Sequence, residues 1–145
     1  MLQHRFIDSA LKNPSKVAFV YRTTLKDVTF NQALLGSLIL SRRFKKLEGG
    51  RIGIMLPTSA GAALAVIGSV MGGLTPVMIN YSTGAEKNCV YAQQQCDFKT
   101  IITTRPLLEK THCPELPGMV FIEDIMAGLG KLEKTLGFIK SKAPV

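Results

Sequence analysis

RIGIMLPTSAGAALAVIGSVMGGLTPVMINYSTGAE, from Arg51 to Glu86, carries no charged side chain between its two end residues. Such a run belongs in a membrane or in a protein core. A spanning helix needs about 20 apolar residues without interruption, because unpaired backbone groups are costly in lipid. This run is interrupted early by Pro57-Thr58-Ser59 and late by Gly72-Gly73 and Pro76. The piece free of strong breakers, Ala60 to Met71, has the length of a core helix. The segment reads as a buried βαβ unit.

In that reading Ile52 to Leu56 is a strand covered on both faces and stopped by Pro57, and Thr58 or Ser59 caps the helix that follows. Ala60 to Met71 has small residues on several sides (Gly61, Ala62, Ala63, Ala65, Gly68, Ser69), which predicts a helix lying close to its neighbours and buried nearly all round. Gly72-Gly73 supplies left-handed positions to end it. Thr75 to Ile79 then returns as a second strand, parallel to the first.

Upstream, Phe6 to Lys12 is a short helical face ended by Asn13-Pro14, Val17 to Tyr21 is a strand, and Val28 is a short return strand. Thr29-Phe30-Asn31-Gln32 is a capping box that opens a helix, with Phe30, Leu34 and Leu38 as its core stripe and Leu35 and Ile39 beside them. Downstream, Thr83-Gly84-Ala85-Glu86 reads as a second capping box, before a helix with Ala85, Cys89, Ala92 or Gln93, and Cys96 on one face. Phe98 to Thr104 is a strand, Pro106 suits the first turn of a short helix, and Met119 to Ile122 is the next strand. Asp124 is expected to cap a last helix with Ile125, Leu129, Leu132, Leu136 and Ile139 in register. Strands alternating with helices imply one α/β domain over residues 1–145, a doubly wound, mostly parallel sheet with helices on both faces.

The charge balance, 18 Lys and Arg against 10 Asp and Glu, gives +8. That excess invites an anionic partner. The one dense cluster, Arg42, Arg43, Lys45 and Lys46, falls at a helix C-terminus, where cations complement the macrodipole. Aromatic residues make up 7% of the chain and Trp is absent, so stacking on single-stranded nucleic acid has little support. No nucleic-acid partner is expected, and peripheral membrane contact stays open. Cys89, Cys96 and Cys113 form no CxxC pair, which indicates free thiols rather than a disulfide framework or zinc site. With a polar start and no apolar signal core, the expected location is cytoplasmic.

The chain offers no catalytic constellation. Gly130-Lys131 fails as a phosphate loop, because Ile125 and Leu132 stand where a glycine and a hydroxyl are needed. Gly68-Ser69-Val70-Met71-Gly72 is out of register for a nucleophile elbow. His4 and His112 have no partners at ligand spacing. No metal site is expected.

The order of features carries a resemblance. Val28-Thr29-Phe30-Asn31-Gln32-Ala33-Leu34, the Arg51 to Asn80 run, and the strand Phe98-Lys99-Thr100-Ile101-Ile102-Thr103-Thr104 resemble the opening part of the adenylate-forming ligases. Pro76-Val77-Met78-Ile79-Asn80-Tyr81-Ser82-Thr83-Gly84 is most similar to acyl-acyl carrier protein synthetases and the fused 2-acylglycerophosphoethanolamine acyltransferases. The likeness covers roughly Phe6 to Leu108. Gly49-Gly50-Arg51-Ile52 departs from the family's Gly-Asp-Arg-Val, and Asn31-Gln32-Ala33 lacks the acidic step of its first motif.

The resemblance implies the N-terminal portion of a ligase that uses ATP and Mg²⁺ to convert a fatty acid to an acyl-adenylate, then transfers it to the thiol of acyl carrier protein or coenzyme A. It also implies that the phosphate loop, ribose-binding aspartate and catalytic lysine lie downstream, leaving this stretch inactive alone with no cofactor expected bound. Ligands of open α/β sheets sit beyond the carboxyl ends of the strands. That rule makes Thr58, Ser59, Asn80, Tyr81 and Thr104 the substrate-binding candidates, although capping and turn chemistry explain the same residues. The rival expectation is a self-contained α/β binding or interaction module without catalysis.

Overall fold

The computed structural model describes residues 1–21 and 26–130. Its first element is helix α1 (Leu2–Lys12), one turn longer than the sequence pattern indicates, followed by the antiparallel pair β1 (Val17–Tyr21) and β2 (Lys26–Thr29). The Thr29 capping box forms as expected: Gln32 N–H donates to Thr29 Oγ1 at 3.3 Å, and Thr29 N–H donates to Gln32 Oε1 at 3.0 Å. It opens α2 (Phe30–Phe44).

The βαβ unit at the centre is present, with β3 (Arg51–Ile54), α3 (Ala60–Met71) and β4 (Thr75–Met78). The two strands are parallel and pair from Arg51↔Thr75 to Ile54↔Met78. Helix α4 (Ala85–Cys96), β5 (Ile101–Thr103), α5 (Arg105–Thr111), β6 (Met119–Phe121) and α6 (Ile122–Ala127) complete the described chain. The four parallel strands lie in the order β4-β3-β5-β6.

Strand pleating divides the core between the two faces of this sheet. Ile52, Ile54 and Ile102 turn toward α2 and α3, joining Leu40, Phe44, Ala62 and Ala65. Met55, Ile101 and Phe121 turn toward α4 and α5, joining Cys89, Phe98, Leu107 and Leu108. Helices on both faces of a parallel sheet make this the doubly wound arrangement that the sequence implies.

Several local expectations are corrected. The core stripe of α2 is not Phe30, Leu34 and Leu38, the last of which is exposed; the buried positions are Ala33, Ser37, Leu40, Ser41 and Phe44. Close approach to α3 selects small residues for the contact. A Cβ built on Gly68 would stand 3.0 Å from both Leu40 Cβ and the Ser37 carbonyl oxygen. For the same reason α3 is fully buried along one face only, at Ala62, Ala65, Gly68 and Ser69, rather than all round. Gly72 stays right-handed, and only Gly73, at φ +80°, takes the left-handed turn after α3.

The second capping box does not form. Gly84, left-handed at φ +66°, occupies the N-cap of α4, which shifts Thr83 out of the capping position. Phe98 precedes β5 and is buried as a ring between α4 and the sheet rather than paired in the strand. Asp124 does not cap α6, because that helix starts at Ile122 behind Phe121. Leu132, Leu136 and Ile139, expected on the same helix, lie outside the described residues.

Candidate functional site

Two clefts border this sheet: one at the carboxyl ends of β3, β5 and β6, the other between the loop after β4, the start of α4 and the end of α5. On the α2 and α3 side, a cleft of about 420 Å³ is walled by Leu40, Leu56, Leu64, Ile122, Met126 and Leu129, with Ser59, Thr104 and Tyr21 adding hydroxyls. On the α4 and α5 side, a larger and more polar cleft of about 690 Å³ is bordered by Tyr81, Glu86, Lys87, Lys110, His112 and Cys113.

These clefts divide the residues singled out by sequence. Ser59 and Thr104 meet in the apolar cleft, Tyr81 borders the polar one, and Thr58 and Asn80 line neither. Local chemistry accounts for most of their polar atoms. Ser59 Oγ accepts from Ala62 N–H at 3.1 Å, and Thr104 Oγ1 accepts from Leu107 N–H at 3.3 Å, so each caps the helix that follows its strand. Such a cap stabilises a helix by about 1 kcal/mol. Asn80 Oδ1 accepts from Ser82 N–H at 2.9 Å and from Ser82 Oγ at 2.6 Å, closing a turn. The Asn88 side chain holds that turn to α4 by donating to the carbonyls of Asn80 and Thr83, each at 2.8 Å.

One charged arrangement escapes sequence reasoning. Arg105 grips Asp124 with two hydrogen bonds, Nη1 to Oδ1 at 2.9 Å and Nη2 to Oδ2 at 2.8 Å. Its guanidinium lies 4.2 Å from the centre of the Phe121 ring, and its backbone N–H donates to Glu123 Oε1 at 3.2 Å. The hydrogen bond to Arg105 holds the Asp124 carboxyl below its ordinary value, and the same bond raises the guanidinium. With half or more of each side chain in solvent, the pair stabilises little. It ties α5 to α6 across the ends of β5 and β6. Nothing in the sequence pairs residues 105 and 124; adjacent parallel strands bring them together.

Two of the thiols, Cys89 and Cys113, sit in surroundings that favour the protonated form. Burial, reinforced by the charge of Cys113, pushes Cys89 up to about 11, and its Sγ–H points at Met55 Sδ, 3.5 Å away. Burial and the nearby Glu86 carboxylate also raise Cys113. Nucleophilic attack needs thiolate, and these surroundings disfavour it. His4 and His112 are exposed. Among the described residues no three His, Cys, Asp or Glu side chains are grouped so as to hold a metal ion. The strand ends lead into Pro57-Thr58-Ser59, Asn80-Tyr81-Ser82 and Thr104-Arg105-Pro106, none of them a glycine-rich loop with a lysine. The described residues therefore do not fit ATP with Mg²⁺ by themselves.

No known family's sequence profile matches the chain. Solved structures do. The N-terminal domain of FACL13 from Mycobacterium tuberculosis superposes with a TM-score of 0.72 at 15% identity, over 87% of this chain and 34% of that one. The N-terminal subdomain of NpsA from Klebsiella oxytoca does so with a TM-score of 0.73 at 13% identity, over 89% and 33%. The fold is that of the N-terminal subdomain of adenylate-forming ligases. O-succinylbenzoate coenzyme A synthetase (MenE) from Bacillus subtilis, solved in complex with ATP and magnesium ion, shares this ligase-type fold with a TM-score of 0.71 at 16% identity, over 87% and 34%. The chain thus spans about a third of the length of each of these proteins. No helix among the described residues is long and apolar enough to cross a membrane.

Proposed function

We propose that this chain is the N-terminal subdomain of an AMP-forming acyl-activating ligase. The whole enzyme would couple a fatty acid to ATP with Mg²⁺ as an acyl-adenylate and pass the acyl group to the thiol of acyl carrier protein or coenzyme A. The observation that carries this reading is a ligase-type fold running through nearly nine-tenths of the chain, in the order that the sequence motifs follow. The Pro76 to Gly84 run favours the acyl carrier protein branch. In this reading the 1–145 unit supplies a scaffold sheet, and Ser59 and Thr104 form part of a substrate wall, with Thr58, Asn80 and Tyr81 at its margins. Its setting is the cytoplasm, with any membrane contact peripheral and through the whole enzyme.

The test is to read the gene beyond Val145 and assay its complete product. A Ser/Thr/Gly-rich loop with a lysine should follow in frame, and the complete enzyme should exchange pyrophosphate into ATP when given a fatty acid. The 1–145 chain alone should release no pyrophosphate. A natural stop codon after Val145, or pyrophosphate release by the chain alone, would overturn the proposal.

A further inference from the structure

The apolar cleft has walls that are already built and polar groups left over. Leu40, Leu56 and Leu129 are buried, so packing inside the domain fixes the wall they form, and half-exposed Met126 completes it. A pre-formed apolar concavity of about 420 Å³ with a few polar groups is the usual form of a small-molecule site. The polar groups here are the hydroxyls of Ser59 and Thr104. Each oxygen accepts a backbone N–H, from Ala62 and from Leu107, and so keeps its own hydrogen to give. Among the described residues no acceptor takes either hydrogen. A ligand oxygen at the ends of β3 and β5 can.

The same surroundings decide the charge of that oxygen. None of the residues lining the cleft is charged. Arg105, next to Thr104 in the chain, is engaged by Asp124 through two hydrogen bonds. Nor does the start of α5 receive an anion: Arg105 N–H donates to Glu123 Oε1, Pro106 has no N–H, and Leu107 N–H is capped by Thr104. The Glu123 carboxylate placed there repels a second negative charge. The partial positive charge at the start of α3 is small beside the cost of stripping water from an ion.

We infer that the apolar cleft binds an uncharged acyl compound, an ester or thioester, in preference to the ionised free acid. Its alkyl chain lies against Leu40, Leu56, Leu64 and Met126, and its carbonyl oxygen accepts from Ser59 and Thr104. This deepens the substrate wall of the proposed function and rests on that reading for the acyl class of the ligand.

The test titrates the 145-residue chain with methyl octanoate and with octanoate at neutral pH, followed through the methyl resonances of Leu64, Met126 and Leu129. Methyl octanoate should shift them saturably, and octanoate, whose head is charged, should bind severalfold more weakly. Gly61→Leu adds bulk to the lining where a Cβ meets nothing closer than Ser59 Oγ at 3.6 Å, and should abolish the shifts. Ser59→Gly removes the hydroxyl while keeping most of the helix cap, and should weaken binding severalfold. No saturable shift, or octanoate binding as tightly as the ester, overturns the inference, and these two titrations of the unsubstituted chain decide it even if a variant folds poorly. Ester binding unaltered in folded Gly61→Leu or Ser59→Gly overturns it as well. Each of those results leaves the ligase reading standing, because that reading fails instead on the in-frame sequence and on pyrophosphate exchange.

Discussion

Gly53 sits in β3 with its Cα hydrogens toward α4, and its lack of a side chain makes room for Phe98. A Cβ at this position would stand 2.6 Å from Phe98 Cε2, and 3.0 Å from both Phe98 Cζ and Ile79 Cδ1. Phe98 and Ile79 are 7% and 6% exposed, so neither ring nor methyl can swing into solvent. The backbone is no obstacle, because Gly53 is not one of the residues with positive φ. Gly53→Ala therefore isolates a packing effect. Overpacking costs about 1–3 kcal/mol, and restricting the unfolded chain returns about 0.4–1 kcal/mol. The net expectation is a loss of about 1–2 kcal/mol, read as a lower urea midpoint at unchanged slope.

The cause is checked by repeating the substitution in a Phe98→Leu background. Removing the ring edge should relieve the clash, leaving Gly53→Ala neutral or slightly stabilising and giving a coupling energy of about 1–2 kcal/mol. A neutral Gly53→Ala in the natural background, or an equal loss in both backgrounds, would refute the reasoning.

Three further outcomes are expected. Gly68→Ala should destabilise by about 1–3 kcal/mol, because its Cβ would meet the Ser37 carbonyl oxygen at 3.0 Å and Ser41 N at 3.3 Å, and backbone atoms cannot step aside. Gly61→Ala, whose Cβ meets nothing closer than Ser59 Oγ at 3.6 Å, should instead stabilise by about 0.5–1 kcal/mol; thermal melts showing the same sign for both would remove the helix-crossing argument. The folded chain holds the Cys89 proton up to about pH 11, whereas the unfolded chain releases it near the ordinary value of 9.0. The folded state binds more protons in that window, so this contribution is complete below pH 9 and lost as pH rises toward 11. Stability measured across pH 8–11 should fall less steeply in Cys89→Ala, and an unchanged slope would show that the thiol is not protected.

Sequence alone determined the order and type of the elements, because the signals are local. An uncharged run broken by Pro57, Gly72-Gly73 and Pro76 admits little other than strand, helix and strand. Oxygen-bearing residues at Thr29, Ser59 and Thr104 mark helix starts wherever orphan N–H groups need an acceptor. Periodicity failed on α2, where it chose the large apolar residues. Tertiary structure buried Ala33, Ser37, Leu40, Ser41 and Phe44 instead, because the face that meets Gly68 is set by how closely α2 and α3 approach, with Leu40 Cβ and the Ser37 and Ser41 backbone at that contact. The candidate site was legible only as a set of strand ends. Which of those residues share a cleft follows from strand order and from the pleat that sends alternate residues to opposite faces. That division, which unites Ser59 with Thr104 and sends Tyr81 to the other side, belongs to the folded sheet, as does the Arg105–Asp124 pair, because both depend on contacts between segments far apart in the chain.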